Sequence, residues 1–275
     1  MKYLLIFFTF YFSLSFQSQN NDYYKIIYDT KSMILKTYKK PRQAYASLYV
    51  HNDSSIYQLE IRRQLDSVKA KRKTTNKDLN RYFSLEKYAI EYEGNKLKYY
   101  DSFGGNEYEY KEEVVFNWNL KPETKIIKGY KCKKATVSYG GREWIAWYTL
   151  DLPINAGPYK FKGLPGLIIK INDTSNSYSF EVYSIEAKKH LPLKKLFHLK
   201  KEGDRITLDR TKYNEIRFKY KSLGFQERMN LLNKKQGVTN EMVITSTDGN
   251  TNPFANERNV NRAERNNFIE IDHKK

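Results

Sequence analysis

The chain is 275 residues long and carries 49 Lys and Arg against 31 Asp and Glu, a formal charge of +18, with one cysteine. The single Cys132 excludes an intramolecular disulfide, so stability has to come from a packed core, and the length suffices for one large β domain or two small ones. Basicity together with 24 Tyr and 15 Phe raises nucleic-acid binding, yet the basic residues are dispersed, with Lys69-Ala70-Lys71-Arg72-Lys73 as the compact cluster. No helix-turn-helix, zinc-finger or RNA-motif pattern stands in the chain, so that class is set aside.

In chain order, Lys2 followed by an apolar run from Tyr3 to Phe12 and small residues at Ser13, Ser15 and Ser18 reads as a secretory signal peptide over residues 1–19. The run is too short and too broken by serines to span a bilayer, so no transmembrane segment is expected after cleavage. Residues 20–233 form a β-rich domain and residues 234–275 a polar segment, partly mobile, that ends in a short strand over Phe268 to Ile271. Hairpins are expected where turn residues separate strand-like runs. Gln43 to Val50 and Ser55 to Arg62 meet at His51 to Ser54, and Tyr88 to Tyr92 and Lys96 to Tyr100 at Glu93-Gly94-Asn95. Arg63 to Asn80 is a polar surface loop or short helix. Leu167 to Ile171 and Tyr178 to Ile185 meet at Asp173 to Asn176. Asp209 as N-cap, with Tyr213, Ile216 and Tyr220 at helical spacing, predicts a helix with an irregular continuation toward Leu232. The predicted fold is mainly β: a curved antiparallel meander, half-barrel-like, with one or two helices.

The densest signal is Gly129 to Ile171. Gly140-Gly141 reverses the chain before a strand in which Trp144, Ala146, Tyr148 and Leu150 share one face and Ile145, Trp147 and Thr149 the other. Leu164-Pro165-Gly166-Leu167 fits a type II turn, with Gly166 supplying the positive φ. The run Leu167 to Ile171 is apolar enough for a strand covered on both faces. In this segment Gly163, Leu164, Pro165, Gly166, Leu167 and Ile168 spell the hexapeptide of the GLPGLI family, which the chain resembles. The Ala146 to Thr149 strand, the Asp151-Leu152-Pro153 step and the Gly157-Pro158 turn extend the likeness. The resemblance implies an exported Bacteroidetes protein whose activity is not established, and it brings no catalytic residues.

Chemistry is sparse. Cys132 sits among Lys131, Lys133 and Lys134, which favour a thiolate, but strand geometry points Lys131 and Lys133 away from it, so a buried structural thiol is the preferred reading. His190 and His198 match no zinc spacing, His51 and His273 are isolated, and Asp151 and Asp173 suggest turn roles. No catalytic set, metal site or cofactor is read from the sequence. The candidate ligand-binding residues are Arg142, Trp144, Trp147, Tyr148, Tyr159, Lys160 and Phe161, aromatic walls with Arg142 and Lys160 as anchors for an anionic group. Core packing is the preferred reading for the face carrying Trp144 and Tyr148, and Trp147 is the better surface or pocket candidate. Gly157, Pro158 and Gly163 to Gly166 are expected to be architectural. The expected protein is periplasmic or outer-envelope and non-enzymatic, binding an apolar ligand, an envelope lipid, an acidic polysaccharide or an envelope protein. A hydrolase using Cys132 or a carboxylate pair, and a purely structural protein, are the alternatives.

Overall fold

A computed structural model describes residues 22–33, 41–60, 88–189, 205–223, 227, 228, 230, 231 and 270. The leader, the Arg63 to Asn80 stretch, His190, His198, His273, and the polar Lys234 to Asn267 segment lie outside the described residues, as do the expected boundaries at 19 and 233. Among the described residues, twelve strands form one sheet: β1 (Asp22–Ser32), β2 (Arg42–His51), β3 (Ser54–Leu59), β4 (Ala89–Glu93), β5 (Lys96–Phe103), β6 (Asn106–Glu113), β7 (Asn119–Ile127), β8 (Tyr130–Tyr139), β9 (Arg142–Thr149), β10 (Leu167–Asp173), β11 (Tyr178–Lys189) and β12 (Ile206–Thr207). The order is β12-β6-β5-β4-β3-β2-β1-β11-β10-β9-β8-β7, antiparallel throughout except for the short parallel β12-β6 contact. The curved antiparallel meander expected from the turn spacing is therefore the fold.

Turn chemistry explains most of the hairpins. Gly140 and Gly141 both have positive φ, +61° and +77°, the combination that suits a two-residue turn to the twist of its strands. Asn52 reverses β2 into β3 at φ 51°, within reach of an Asn side chain. β3 stops at Leu59, short of the expected Arg62, because Glu60 already turns helical. β11 buries Tyr178, Phe180 and Val182 on one face, while Tyr183 on the other is 64% exposed.

One face of the sheet, hereafter the inner face, carries the core. It holds Ile26, Tyr28, Leu48, Tyr57, Ile90 and Leu97, with Trp144, Ala146 and Tyr148 from β9. Leu150, expected on that face, lies past the end of β9 and is 46% exposed. Tyrosine rings run across the strands, Tyr57 to Tyr88 at 6.2 Å, Tyr88 to Tyr99 at 5.6 Å and Tyr99 to Tyr110 at 4.8 Å, all stacked. Such pairs contribute about 0.5–1.5 kcal/mol each beyond their buried area.

Helix α1 (Arg210–Ser222) lies against β5 and β6. Asp209 caps it, accepting the Lys212 amide at 2.8 Å, and Lys219 and Lys221 in its last turn complement the helix dipole. Tyr213 is its buried residue, and its hydroxyl donates to Asp101 Oδ2 at 2.7 Å, beside Arg217 Nε at 2.8 Å. The chain reaches this point because β12 docks on β6, with the Leu208 amide bonded to the Glu109 carbonyl at 2.9 Å. Leu223 is extended and ends the helix; residues 227, 228, 230 and 231 are again helical, which matches the irregular continuation expected from sequence.

Candidate functional site

Between β9 and β10 the chain leaves the sheet at Asp151 and returns at Gly166, and this loop folds over the inner face. Its backbone is tied down at both ends. The Leu152 carbonyl accepts the Ile154 amide at 2.7 Å and the Leu167 amide at 3.0 Å, and the Ile168 amide reaches the Ala156 carbonyl at 3.1 Å. The Tyr92 hydroxyl on β4 donates to the Lys160 carbonyl and holds the loop, and the Tyr28 hydroxyl on β1 donates to the Ile168 carbonyl at the start of β10, both at 2.7 Å.

The expected type II turn at Leu164 to Leu167 is not there. Gly166 lies outside the positive-φ region, and the Leu167 amide bonds Leu152 instead of closing a turn on Leu164. Gly166 is needed for space. A Cβ on it would stand 1.9 Å from the Thr149 carbonyl oxygen, where only a hydrogen fits. Gly157 is similarly crowded, by Ile168 Cδ1 at 2.6 Å and the Phe161 carbonyl oxygen at 2.8 Å. The positive φ of the segment belongs to Gly163, +95°, and to Tyr159, φ 56°, a bulky residue in a region that such residues rarely occupy.

That backbone places Tyr159, Lys160 and Phe161 inside the molecule. Phe161 packs on Trp144 with ring centres 4.7 Å apart, and Tyr159 meets Tyr88 edge-on at 5.5 Å. Lys160 is completely buried. Its ammonium lies 2.8 Å from the Tyr110 hydroxyl, 2.5 Å from Glu112 Oε1 and 2.8 Å from Glu270 Oε1, so its three donors meet three acceptors. Four tyrosine rings, of Tyr99, Tyr110, Tyr139 and Tyr159, surround it with centroids 5.1–5.8 Å away. A lysine so engaged is a saturated cation and not a free amine nucleophile.

Glu270 completes the site from the far end of the chain. Its buried carboxylate accepts from Tyr159 and Lys160 through Oε1 and from Arg210 Nε at 3.1 Å and Nη2 at 2.6 Å through Oε2. Burial by itself would raise its pKa, but the charges of Lys160 and Arg210 and the hydrogen bonds from Lys160 and Tyr159 outweigh it and hold the group down at about 2. Burial, reinforced by the charge of Glu270, drives the Tyr110, Tyr139 and Tyr159 hydroxyls upward, so they stay protonated. Glu270 itself has irregular backbone and a buried side chain, and the rest of the expected Phe268 to Ile271 strand lies outside the described residues. Glu112 is also in the wall of a depression of about 290 Å³ over β4 to β6, lined further by Glu93, Lys96 and Lys111, which brings solvent to one edge of the network.

The candidate ligand residues thus part company. Trp144, Tyr148, Tyr159, Lys160 and Phe161 are core. Arg142 does not point toward Lys160: it is 9% exposed, ion-paired to buried Asp173 at 2.9 Å and stacked 5.1 Å over Tyr178. Asp173 in turn accepts the Tyr178 amide at 2.8 Å and the Ser175 hydroxyl, the turn role anticipated for it. Trp147 faces the other way, on the outer face. Its cross-strand neighbours there are Lys134 on β8 and Lys170 on β10, and the Lys125 ammonium lies 5.9 Å from its ring centre. Cys132 is buried, its Sγ donating weakly to the Tyr130 carbonyl at 3.5 Å, and burial pushes its thiol up to about 11. Sequence reasoning missed Glu112, Arg210, Tyr139 and Glu270. The alternation Tyr108, Tyr110, Glu112 along β6 was a legible inner-face pattern, whereas nothing local pointed to Glu270 as a partner of Lys160.

A family profile described as "Protein of unknown function (Porph_ging)" matches residues 141–170, which run from the Gly140-Gly141 turn through β9 and the loop into β10. No curated protein matches the chain. Two solved structures of PNGF-II, in the P21 and C2 space groups, are similar over 71% of this chain and 33% and 32% of theirs, at 19% and 20% identity, each with a TM-score of 0.49. The chain thus spans about a third of the length of those chains, and a likeness of that size carries no functional inference.

Proposed function

We propose that the chain is an exported, envelope-associated protein that binds and does not catalyse, and that its ligand is an anionic envelope component of the acidic-polysaccharide class, met on the outer face around Trp147. One observation carries this reading: of the seven candidate ligand residues, Trp147 is the one whose ring sits on the outer face and is only partly buried, with Lys125, Lys134 and Lys170 beside it. A flat ring offers a stacking surface to a sugar, and the Lys125 ammonium beside it supplies charge for a carboxylate, whereas Lys134 and Lys170 are paired with Glu123 at 2.8 Å and Glu181 at 2.7 Å. The formal +18 charge adds long-range attraction to an anionic surface, effective over about 8 Å at physiological salt. An apolar ligand within the curve of the sheet is less well supported, since the Asp151 to Gly166 loop fills that space with Tyr159, Lys160 and Phe161.

The test is retention of the purified protein on immobilised polygalacturonate against neutral dextran. Salt-sensitive retention on the acidic polymer alone, reduced at least about tenfold by Trp147→Ala, supports the reading. Equal retention of wild type and Trp147→Ala overturns it. A purely structural protein is the second reading, favoured by the filled inner face, and it would be retained on neither polymer.

A further inference from the structure

We infer that the outer face carries a second sugar-binding station, the exposed ring pair of Tyr45 and Tyr183, which together with Trp147 takes an extended acidic polysaccharide chain laid across the strands. The inference rests on the reading of Trp147 given above and extends it from one ring to a path. Tyr45 on β2 and Tyr183 on β11 are 43% and 64% exposed, and their rings meet edge-on with centres 5.3 Å apart, across β1, which lies between those two strands. A bulge in β11 makes this possible. Ile27 pairs with Ser184 and Tyr28 with Val182, so Tyr183 is the extra residue, re-aimed out of the ladder. Two large rings in contact and open to solvent offer a sugar the same kind of flat apolar surface as the indole.

Register joins the two stations. Tyr45 stands opposite Asp29, Asp29 opposite Glu181, Glu181 opposite Lys170 and Lys170 opposite Trp147, one cross-strand row on the outer face through β2, β1, β11, β10 and β9. Four strand spacings of about 4.8 Å put the ends of that row about 19 Å apart, beyond one sugar ring and within reach of a chain. The carboxylates of the row are held by neighbours, Glu181 by Lys170 at 2.7 Å and Asp29 by the Gln43 amide at 2.9 Å. Lys125 beside Trp147, and Lys31, the next outer-face residue of β1 after Asp29, are in no ion pair among the described residues, so each end keeps a cation for an acidic chain. Both stations stand on strands of one sheet. A chain that engages one therefore meets the other at a high effective concentration.

The experiment measures the affinity of the full-length protein for the trimer and the decamer of galacturonate. The readout is the decamer-to-trimer affinity ratio, because the statistical gain of a longer chain is the same in every variant. This ratio is expected to fall at least about tenfold when Tyr45→Thr and Tyr183→Thr are combined; threonine keeps the strand preference of both positions. Should the double variant fail to fold, Tyr183→Thr alone is held to the same criterion. A ratio unchanged by these substitutions overturns the inference, and so does a fall of the same size with neutral dextran oligomers. The two readings fail separately. Trimer binding that depends on Trp147, with an unchanged ratio, removes only the tyrosine station, whereas no preference for galacturonate over dextran and indifference to Trp147→Ala remove both.

Discussion

A methyl group on Gly166 would stand 1.9 Å from the carbonyl oxygen of Thr149 and 2.8 Å from its carbonyl carbon, both of them backbone atoms that cannot step aside. The last residue of β9 and the first bend before β10 are in contact there, and the loop between them is held in place by that contact. Gly166→Ala is therefore expected to cost at least about 3 kcal/mol, at the severe end of overpacking. Gly163→Ala meets only the Trp118 ring at 3.5 Å and carries the φ of +95°, so backbone strain sets its cost, about 1 kcal/mol. Urea unfolding of the two variants measures the order. A larger loss at Gly163 would contradict a steric role for Gly166.

Acid stability should depend on Glu270. Its folded pKa, about 2, lies below the ordinary 4.5. The stability it contributes is then fully present above about 4.5 and is lost as pH falls from there toward about 2. Glu270→Gln has no such titration. Near neutrality it should unfold at lower urea than wild type, and the gap between the two midpoints should close through that acid window. A gap that stays constant with pH would show that the carboxylate's charge is not what Lys160 and Arg210 recognise.

Cys132 should be inert in the folded protein. Burial raises its thiol to about 11, and the side chain has no measurable exposure, so neither the thiolate nor access is available near neutral pH. Labelling by a thiol-reactive disulfide is expected only on unfolding, with a rate that rises with denaturant in step with global loss of structure. Fast stoichiometric labelling of native protein would revive a nucleophilic role. Cys132→Ala should cost about 1 kcal/mol, the loss of one small buried group.

Legibility followed distance along the chain. The turns at Asn52-Asp53, Gly94-Asn95 and Gly140-Gly141, and the Asp209 cap, depend on φ preferences and on hydrogen bonds a few residues long, and those are written in the residues themselves. Gly166 shows the limit of that reasoning. Pro-Gly chemistry suggested a positive φ, whereas the glycine is required by a strand end that arrives from seventeen residues earlier. Lys160 shows it again. Its basic side chain between two aromatic residues fits a ligand anchor equally well as a core cation, and only Tyr110, Glu112 and Glu270, all distant in sequence, decide for the core.

The sequence by itself determined an antiparallel β meander with a capped helix, because alternation, turn residues and capping are local and add up along the chain. Tertiary structure decided which face of β9 met the core, that the loop after it fills the curve of the sheet, and that Glu270 neutralises Lys160 and Arg210. Those outcomes rest on close packing and on pairing of buried charge, which depend on groups brought together only when the sheet closes around them.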